Sequence, residues 1–142
     1  MKIHSHTEKA DSILDTLSSE ILVSAHGRTV LFRGIWDTGA TGSVITQNVV
    51  DALGLKPIDA VFFSHANGTS ETEEYVVDFK LPNGVDILSL CVIRGTFDDY
   101  DLLIGMDIIS RGDFSISNFN GKTMFGFRMP SVADVNFQEN EK

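Results

Sequence analysis

The chain has one cysteine, one tryptophan and three prolines in 142 residues, and no apolar run near the ~18 residues that a membrane-spanning helix needs. The single thiol, Cys91, excludes an internal disulfide and a zinc site built on paired cysteines. Its place in the apolar run from Val85 to Ile93 reads as a buried core thiol. Basic residues are also scarce, 11 Lys and Arg against 20 Asp and Glu, for a net charge of -9. Without clustered cations to neutralise phosphates, a nucleic-acid partner is not expected. The first residues carry Lys2, His4, His6, Glu8 and Asp11 and lack the apolar core of a secretory signal, so a cytoplasmic protein with no membrane partner is expected. Neither a metal nor a cofactor is expected. The adjacent Asp98 and Asp99 lack the further oxygen ligands of a cation cage, and His4 and His6 read as solvated side chains of a loose arm over residues 1–11.

What the chain does have is 42% hydrophobic residues, ten phenylalanines and twelve glycines. That is enough for one core of ordinary size, cut into short strands by turns, and it points to an all-β class. Three regions follow: a polar N-terminal arm over 1–19, a domain over 20–129 and a polar C-terminal tail over 130–142. Hairpins are expected at His26-Gly27-Arg28, between strands 20–26 and 29–36, and at Asn120-Gly121, between 113–119 and 122–128. A third joins 58–65 to 71–81, with Asn67-Gly68 supplying positive φ angles at the tip. The nearly continuous apolar run Val85–Ile93 reads as a central strand covered on both faces. Two short helices are expected, one from Thr46 through Val49, Val50 and Leu53 to a stop at Gly54, the other from Met106 to Ser110. Ile13, Leu14 and Leu17 allow a weak helical turn between Asp11 and Glu20.

Two segments share one plan, an apolar strand, a glycine-containing turn and a short helix: Ile35 to Gly54 and Leu102 to Gly112. Only the first has an acid preceding Thr-Gly, in Asp37-Thr38-Gly39-Ala40. With the hairpin tip around Asn67-Gly68 and the second motif Leu102-Leu103-Ile104-Gly105-Met106-Asp107-Ile108-Ile109, that turn resembles a retropepsin-type aspartic protease over residues 20 to 128. The resemblance implies a small closed or nearly closed β-barrel, the single-lobe acid-protease fold with one or two short helices, and an aspartic endopeptidase whose hairpin 58–81 is a flap over a peptide cleft. It implies a homodimer acting on a peptide or protein substrate, because the chain has one Asp-Thr-Gly and the chemistry needs two carboxylates. Asp37 would be the catalytic acid, paired with Asp37 of a second copy. Thr38 would tie the two turns together through its hydroxyl, and Gly39 would let backbone and substrate approach closely. Ala40 and the tip residues Ala66, Asn67, Gly68 and Thr69 would bind substrate, and Ala40, which offers no hydroxyl to the dyad, implies a less acidic pH range than pepsin-like enzymes have. Retroviral members have an acid near the position of Thr41 or Gly42 and an Arg at that of Met106. Both are absent here, which brings the chain nearer to retroelement and cellular relatives.

Other readings of the same turn have different consequences. Asp and Thr side chains bond to nearby backbone in many loops, so an isolated Asp-Thr-Gly is more often only a turn. Asp37-Thr38-Gly39-Ala40-Thr41 also matches the Asp-x-Gly-x-Thr phosphate turn of actin-like sugar kinases, but those folds need two α/β lobes and far more chain. A noncatalytic module that keeps the barrel and binds peptides by strand addition is the remaining alternative.

Overall fold

His26 and Gly27 take φ angles of 51° and 76°, the two left-handed conformations that a two-residue hairpin turn demands. That turn sets the register of the first barrel hairpin in a computed structural model that describes residues 1–140. In chain order the strands are β1 (His4–Lys9), β2 (Ser18–Ala25), β3 (Arg28–Trp36) and β4 (Val44–Ile45). After helix α1 (Gln47–Leu53) come β5 (Asp59–His65), β6 (Gly68–Lys80), β7 (Asp86–Arg94) and β8 (Leu102–Ile104). Helix α2 (Met106–Ile109) then leads into β9 (Asp113–Ser117) and β10 (Met124–Met129).

Strands β2, β3, β8, β4, β7 and β6 are hydrogen-bonded in that order, and β6 returns to β2 with Leu22 opposite Lys80, which closes a six-stranded barrel. Strand β5 hangs from β6 as the outer arm of a long hairpin. A separate sheet, β1-β10-β9, lies against the barrel, its Phe114 and Phe127 rings 5.1 and 5.3 Å from Trp36. The inward face of each strand supplies the core. Ile21 and Val23 from β2, Tyr75, Val77 and Phe79 from β6, and Leu102 and Ile104 from β8 are buried with Val49 and Leu53 of α1 and Ile108 of α2. Removing each such side chain from water contributes about 1.5–3 kcal/mol. Gly54, at φ 62°, ends α1 as expected, while the Thr46 hydroxyl does not cap that helix and instead donates to Asp101 O at 2.8 Å. Among the described residues no helix is long and apolar enough to cross a membrane.

Several expectations are corrected. Residues 4–9 are not a loose arm: β1 pairs antiparallel with β10, His6 opposite Phe127 and Glu8 opposite Phe125. No helical turn forms between Asp11 and Glu20, where the chain bends and then enters β2 at Ser18. Strand β7 is covered on one face only. Ile87, Leu90 and Val92 are buried, whereas Leu88 and Cys91 are exposed, so Cys91 is a surface thiol. A bulge explains the pattern: Leu88 and Ser89 together oppose the single residue Asp78, Ser89 has φ 54°, and its N–H donates to Asp78 Oδ1 at 2.8 Å. At the long hairpin the two turn residues are Ala66 and Asn67, and of the Asn67-Gly68 pair only Gly68 has a positive φ, 119°.

Candidate active site

Asp37 stands one residue past the end of β3, and the neighbouring strand fixes where its backbone goes. Strands β3 and β8 run parallel, Trp36 opposite Ile104, and the Asp37 N–H continues that ladder by donating to Ile104 O at 2.9 Å. The chain then folds back on itself. The Ala40 N–H donates to Asp37 O at 3.2 Å and the Gly39 N–H to Asp37 Oδ1 at 2.8 Å. A Cβ on Gly39 would lie 3.2 Å from that oxygen, tight enough to disturb the contact, so glycine suits the position. Among the described residues, the other carboxylate oxygen, Oδ2, has no hydrogen-bond partner. Thr38 is exposed on the same turn.

The second motif holds this turn from behind. The first N–H groups of a helix have no partner within it, and those of α2 go to the Asp37 loop: Met106 donates to Ala40 O at 2.8 Å and Asp107 to Thr41 O at 3.1 Å. In return Asp107 accepts from the Ser43 N–H at 2.9 Å and from its hydroxyl at 2.8 Å, and Ser43 Oγ accepts the Gly105 N–H at 3.1 Å. The backbones approach so closely that a Cβ on Gly105 would fall 2.6 Å from Gly42 O. The two segments that share one plan in the sequence thus interlock.

Beneath the turn, Trp36 is anchored by its indole. Its Nε1–H donates to the fully buried Ser19 Oγ at 2.9 Å, and the Ser19 hydroxyl in turn donates to Glu8 Oε2 on β1. Asp107 belongs to the second motif, but its supporting role, and Ser43, Ser19 and Glu8 altogether, are left out of the motif reading. Only Asp107, an acid in the first turn of a helix, carries a signal of its own.

The long hairpin and the barrel wall enclose a cleft of about 700 Å³ lined by Phe63, His65 and Thr72 from the hairpin and by Val44, Ile93 and Leu103 from the wall. Phe63 lines this cleft, Val61 is half-buried outside its lining, and Ile104 is core. The tip is held by His65, whose Nδ1 accepts the Asn67 N–H at 3.2 Å and whose Nε2 lies 2.6 Å from Ser70 Oγ. Ala66, Asn67, Gly68 and Thr69 are all exposed there. The structure therefore gathers Asp37, Thr38, Gly39 and Ala40 into one turn and the tip residues into another, and neither group lines the cleft.

Two ionisable groups lie outside this turn with clear shifts. Burial, then the bond its hydroxyl donates to Glu73, raises the pKa of Tyr75. Bonds from the Ser131 hydroxyl, the Val132 N–H and Arg128 hold the Asp113 carboxyl far below the usual carboxylate range.

The sequence model of the Aspartyl protease family matches residues 21–108, which includes the Asp37 motif, the long hairpin and the second motif as far as Ile108. The chain belongs to the aspartyl protease family. No curated protein sequence matches this aspartyl protease family member. Among solved structures it is similar to a retropepsin-like aspartic protease from Rickettsia conorii, with a TM-score of 0.59 and 17% identity over 90% of this chain and 96% of that one. It is also similar to the EIAV protease complexed with the inhibitor HBY-793, with a TM-score of 0.52 and 20% identity over 68% of this chain and 86% of that one. At these identities the likeness establishes the retropepsin-like fold.

Proposed function

We propose that the protein is an aspartic endopeptidase that works as a homodimer, with Asp37 of each copy forming the catalytic dyad. The observation that carries this reading is the Asp37 turn: Oδ1 takes the Gly39 N–H while Oδ2 has no partner among the described residues, in a chain with a single Asp-Thr-Gly. Hydrolysis without a covalent intermediate needs one group to take a proton from water and another to give one to the scissile amide. Two carboxylates a few ångströms apart cannot both ionise easily, so a pair sharing one proton offers base and acid together. The attacking water loses its proton to the ionised member, and the protonated member supports the carbonyl oxygen. The shared proton titrates as a property of the pair.

In this reading the Thr38 hydroxyls link the two turns across the dimer axis, and Ala40 contacts the substrate backbone. The hairpin tip, Ala66 to Thr69, closes over the peptide and excludes water, with the flexible Gly68 as its hinge. The apolar lining of the cleft beside Phe63 and Ile93 suits an apolar substrate side chain.

The test is hydrolysis of a peptide library by wild type and by Asp37→Asn, with sedimentation over a range of concentrations. The substituted amide keeps an oxygen for the Gly39 N–H, so the turn survives while the acid is lost. Wild-type cleavage that vanishes in the variant is expected. Equal turnover by both would remove Asp37 from catalysis, and peptide binding without turnover by the wild-type dimer would mark a noncatalytic binding module instead.

A further inference from the structure

The chain contains three Asn-Gly pairs, Asn67-Gly68, Asn83-Gly84 and Asn120-Gly121. In such a pair the backbone nitrogen of the glycine can attack the side-chain amide of the asparagine, because no Cβ shields it. The structure treats the three differently. At Asn83 both ends of the amide are held, Nδ2 donating to His4 O at 3.2 Å and Oδ1 accepting the Val85 N–H at 3.1 Å, and the Gly84 N–H donates to Leu81 O at 2.9 Å. Asn120 is exposed, but the attacking nitrogen is held, the Gly121 N–H donating to Asn118 O at 3.3 Å. The fully buried Thr123 pins that loop, its hydroxyl donating to Asn118 Oδ1 at 2.7 Å and its N–H to Ser12 O at 3.1 Å. The Asn67 side chain is exposed and has no hydrogen-bond partner among the described residues; its backbone N–H alone is held, by His65 Nδ1 at 3.2 Å. Gly68 follows at φ 119° as the last rung of the hairpin, opposite His65, and a terminal rung frays open at little cost.

We propose that Asn67 is a site of self-modification that converts the hairpin tip to aspartate and isoaspartate. Gly68 N forms a bond to Asn67 Cγ, the Cγ–Nδ2 bond breaks, and Nδ2 leaves as ammonia with the proton that Gly68 gives up. Water then opens the cyclic imide. Breaking the new Gly68 N–Cγ bond gives aspartate, whereas breaking the original peptide bond gives isoaspartate, whose main chain runs through Cβ and Cγ of residue 67. No oxidant or second protein is needed. The product is charged where asparagine was neutral, on a hairpin that holds Glu71, Glu73 and Glu74 and no Lys or Arg between Asp59 and Asp78. Isoaspartate also lengthens a two-residue turn, and turn length fixes the register that runs from the His65–Gly68 pair to Asp59–Glu74. Where the hairpin acts as the flap of the proposed protease, the modified tip is more acidic and out of register and closes less well over the substrate, so turnover falls as the protein ages. That last step rests on the protease reading, and the modification itself does not.

The test is site-resolved peptide mass mapping of the full chain kept in mildly alkaline native buffer, beside the same chain in urea. Conversion at Asn67 is expected in native buffer at a rate within a few-fold of that in urea. At Asn83 and Asn120 it is expected to be slowed at least about tenfold relative to urea, because the hydrogen bonds there must open first. Protection of Asn67 to the degree of Asn83, or conversion of Asn120 that keeps pace with Asn67, overturns the proposal. Peptide cleavage is followed on the same samples and on Asn67→Gln, whose longer side chain does not close the same ring, each against its own starting rate. Wild-type turnover is expected to fall in step with the fraction converted while the variant holds its rate. Constant wild-type turnover as Asn67 converts overturns the closure step. Absence of cleavage from the outset counts against the protease reading, and the mass map then decides the modification by itself.

Discussion

Asp107 holds Ser43 with both carboxylate oxygens, one on the backbone N–H and one on the hydroxyl, so that α2 is fastened to the loop that follows Asp37.

Asp107→Ala leaves the Ser43 N–H and hydroxyl, in a residue that is 1% exposed, without their acceptor. A loss of about 3 kcal/mol in urea unfolding is expected, because groups left unsatisfied in the interior keep their full desolvation cost. Asp107→Asn, which retains one carbonyl oxygen, should lose about half as much. Equal stability of Asp107→Ala and wild type would show that Ser43 is satisfied in some other way.

Gly105→Ala tests how closely the two turns must approach. The added Cβ would meet Gly42 O at 2.6 Å and Ala40 O at 3.0 Å, and backbone atoms cannot swing aside as a flexible side chain can. Destabilisation of about 1–3 kcal/mol is expected from such overpacking, accompanied by a fall in peptide turnover because the strain lands on the Asp37 loop. Chemical denaturation and a cleavage assay on the same preparation measure both.

Asp113 should make stability fall in acid. Its carboxyl titrates lower in the folded chain than in the unfolded one, chiefly through the bonds from Ser131 and Val132. Its contribution is therefore complete above the unfolded value of about 3.9 and is lost as pH falls below it toward the folded value. Urea midpoints of wild type and Asp113→Asn measured from pH 6 to pH 2 should differ most at the upper end and converge toward the lower. A constant gap across the range would count against this role.

Cys91 should react without unfolding. As an exposed side chain on the outer face of β7, it should be alkylated by iodoacetamide in native buffer at a rate within a few-fold of that in urea. Protection by orders of magnitude in native buffer would return it to the interior.

Much of this architecture is legible in the sequence, and the reasons for the rest are local. The alternation of Tyr75, Val77 and Phe79 marks a half-buried strand, and Gly54 marks the end of a helix, because each obeys one rule with nothing competing. Strand β7 misleads because its bulge at Ser89 shifts the two-residue period midway: Ile87 and Leu90 share a face only if one residue is extra, and no residue type announces that. Strand β1 is hidden for another reason. His4, His6 and Glu8 offer no apolar period, and what orders them is the backbone of β10, more than a hundred residues later, with Ser19 waiting for the Glu8 carboxylate. At the site, Asp37-Thr38-Gly39 and Gly105 stand out as motifs, while the Ser43 partner of Asp107 depends on a loop crossing that no spacing rule encodes.

The Asp37 N–H donation to Ile104 has a consequence in time. During synthesis Asp37 leaves the ribosome first, and the strand and helix that hold its turn, from Leu102 to Ile109, follow only after the whole β5–β6 hairpin has been made. Contacts so distant in the chain form slowly, because a long loop must close before they gain anything. A nascent or partly refolded chain therefore holds Asp37 without the frame that orients it, and the turn takes its final shape only when the molecule is finished.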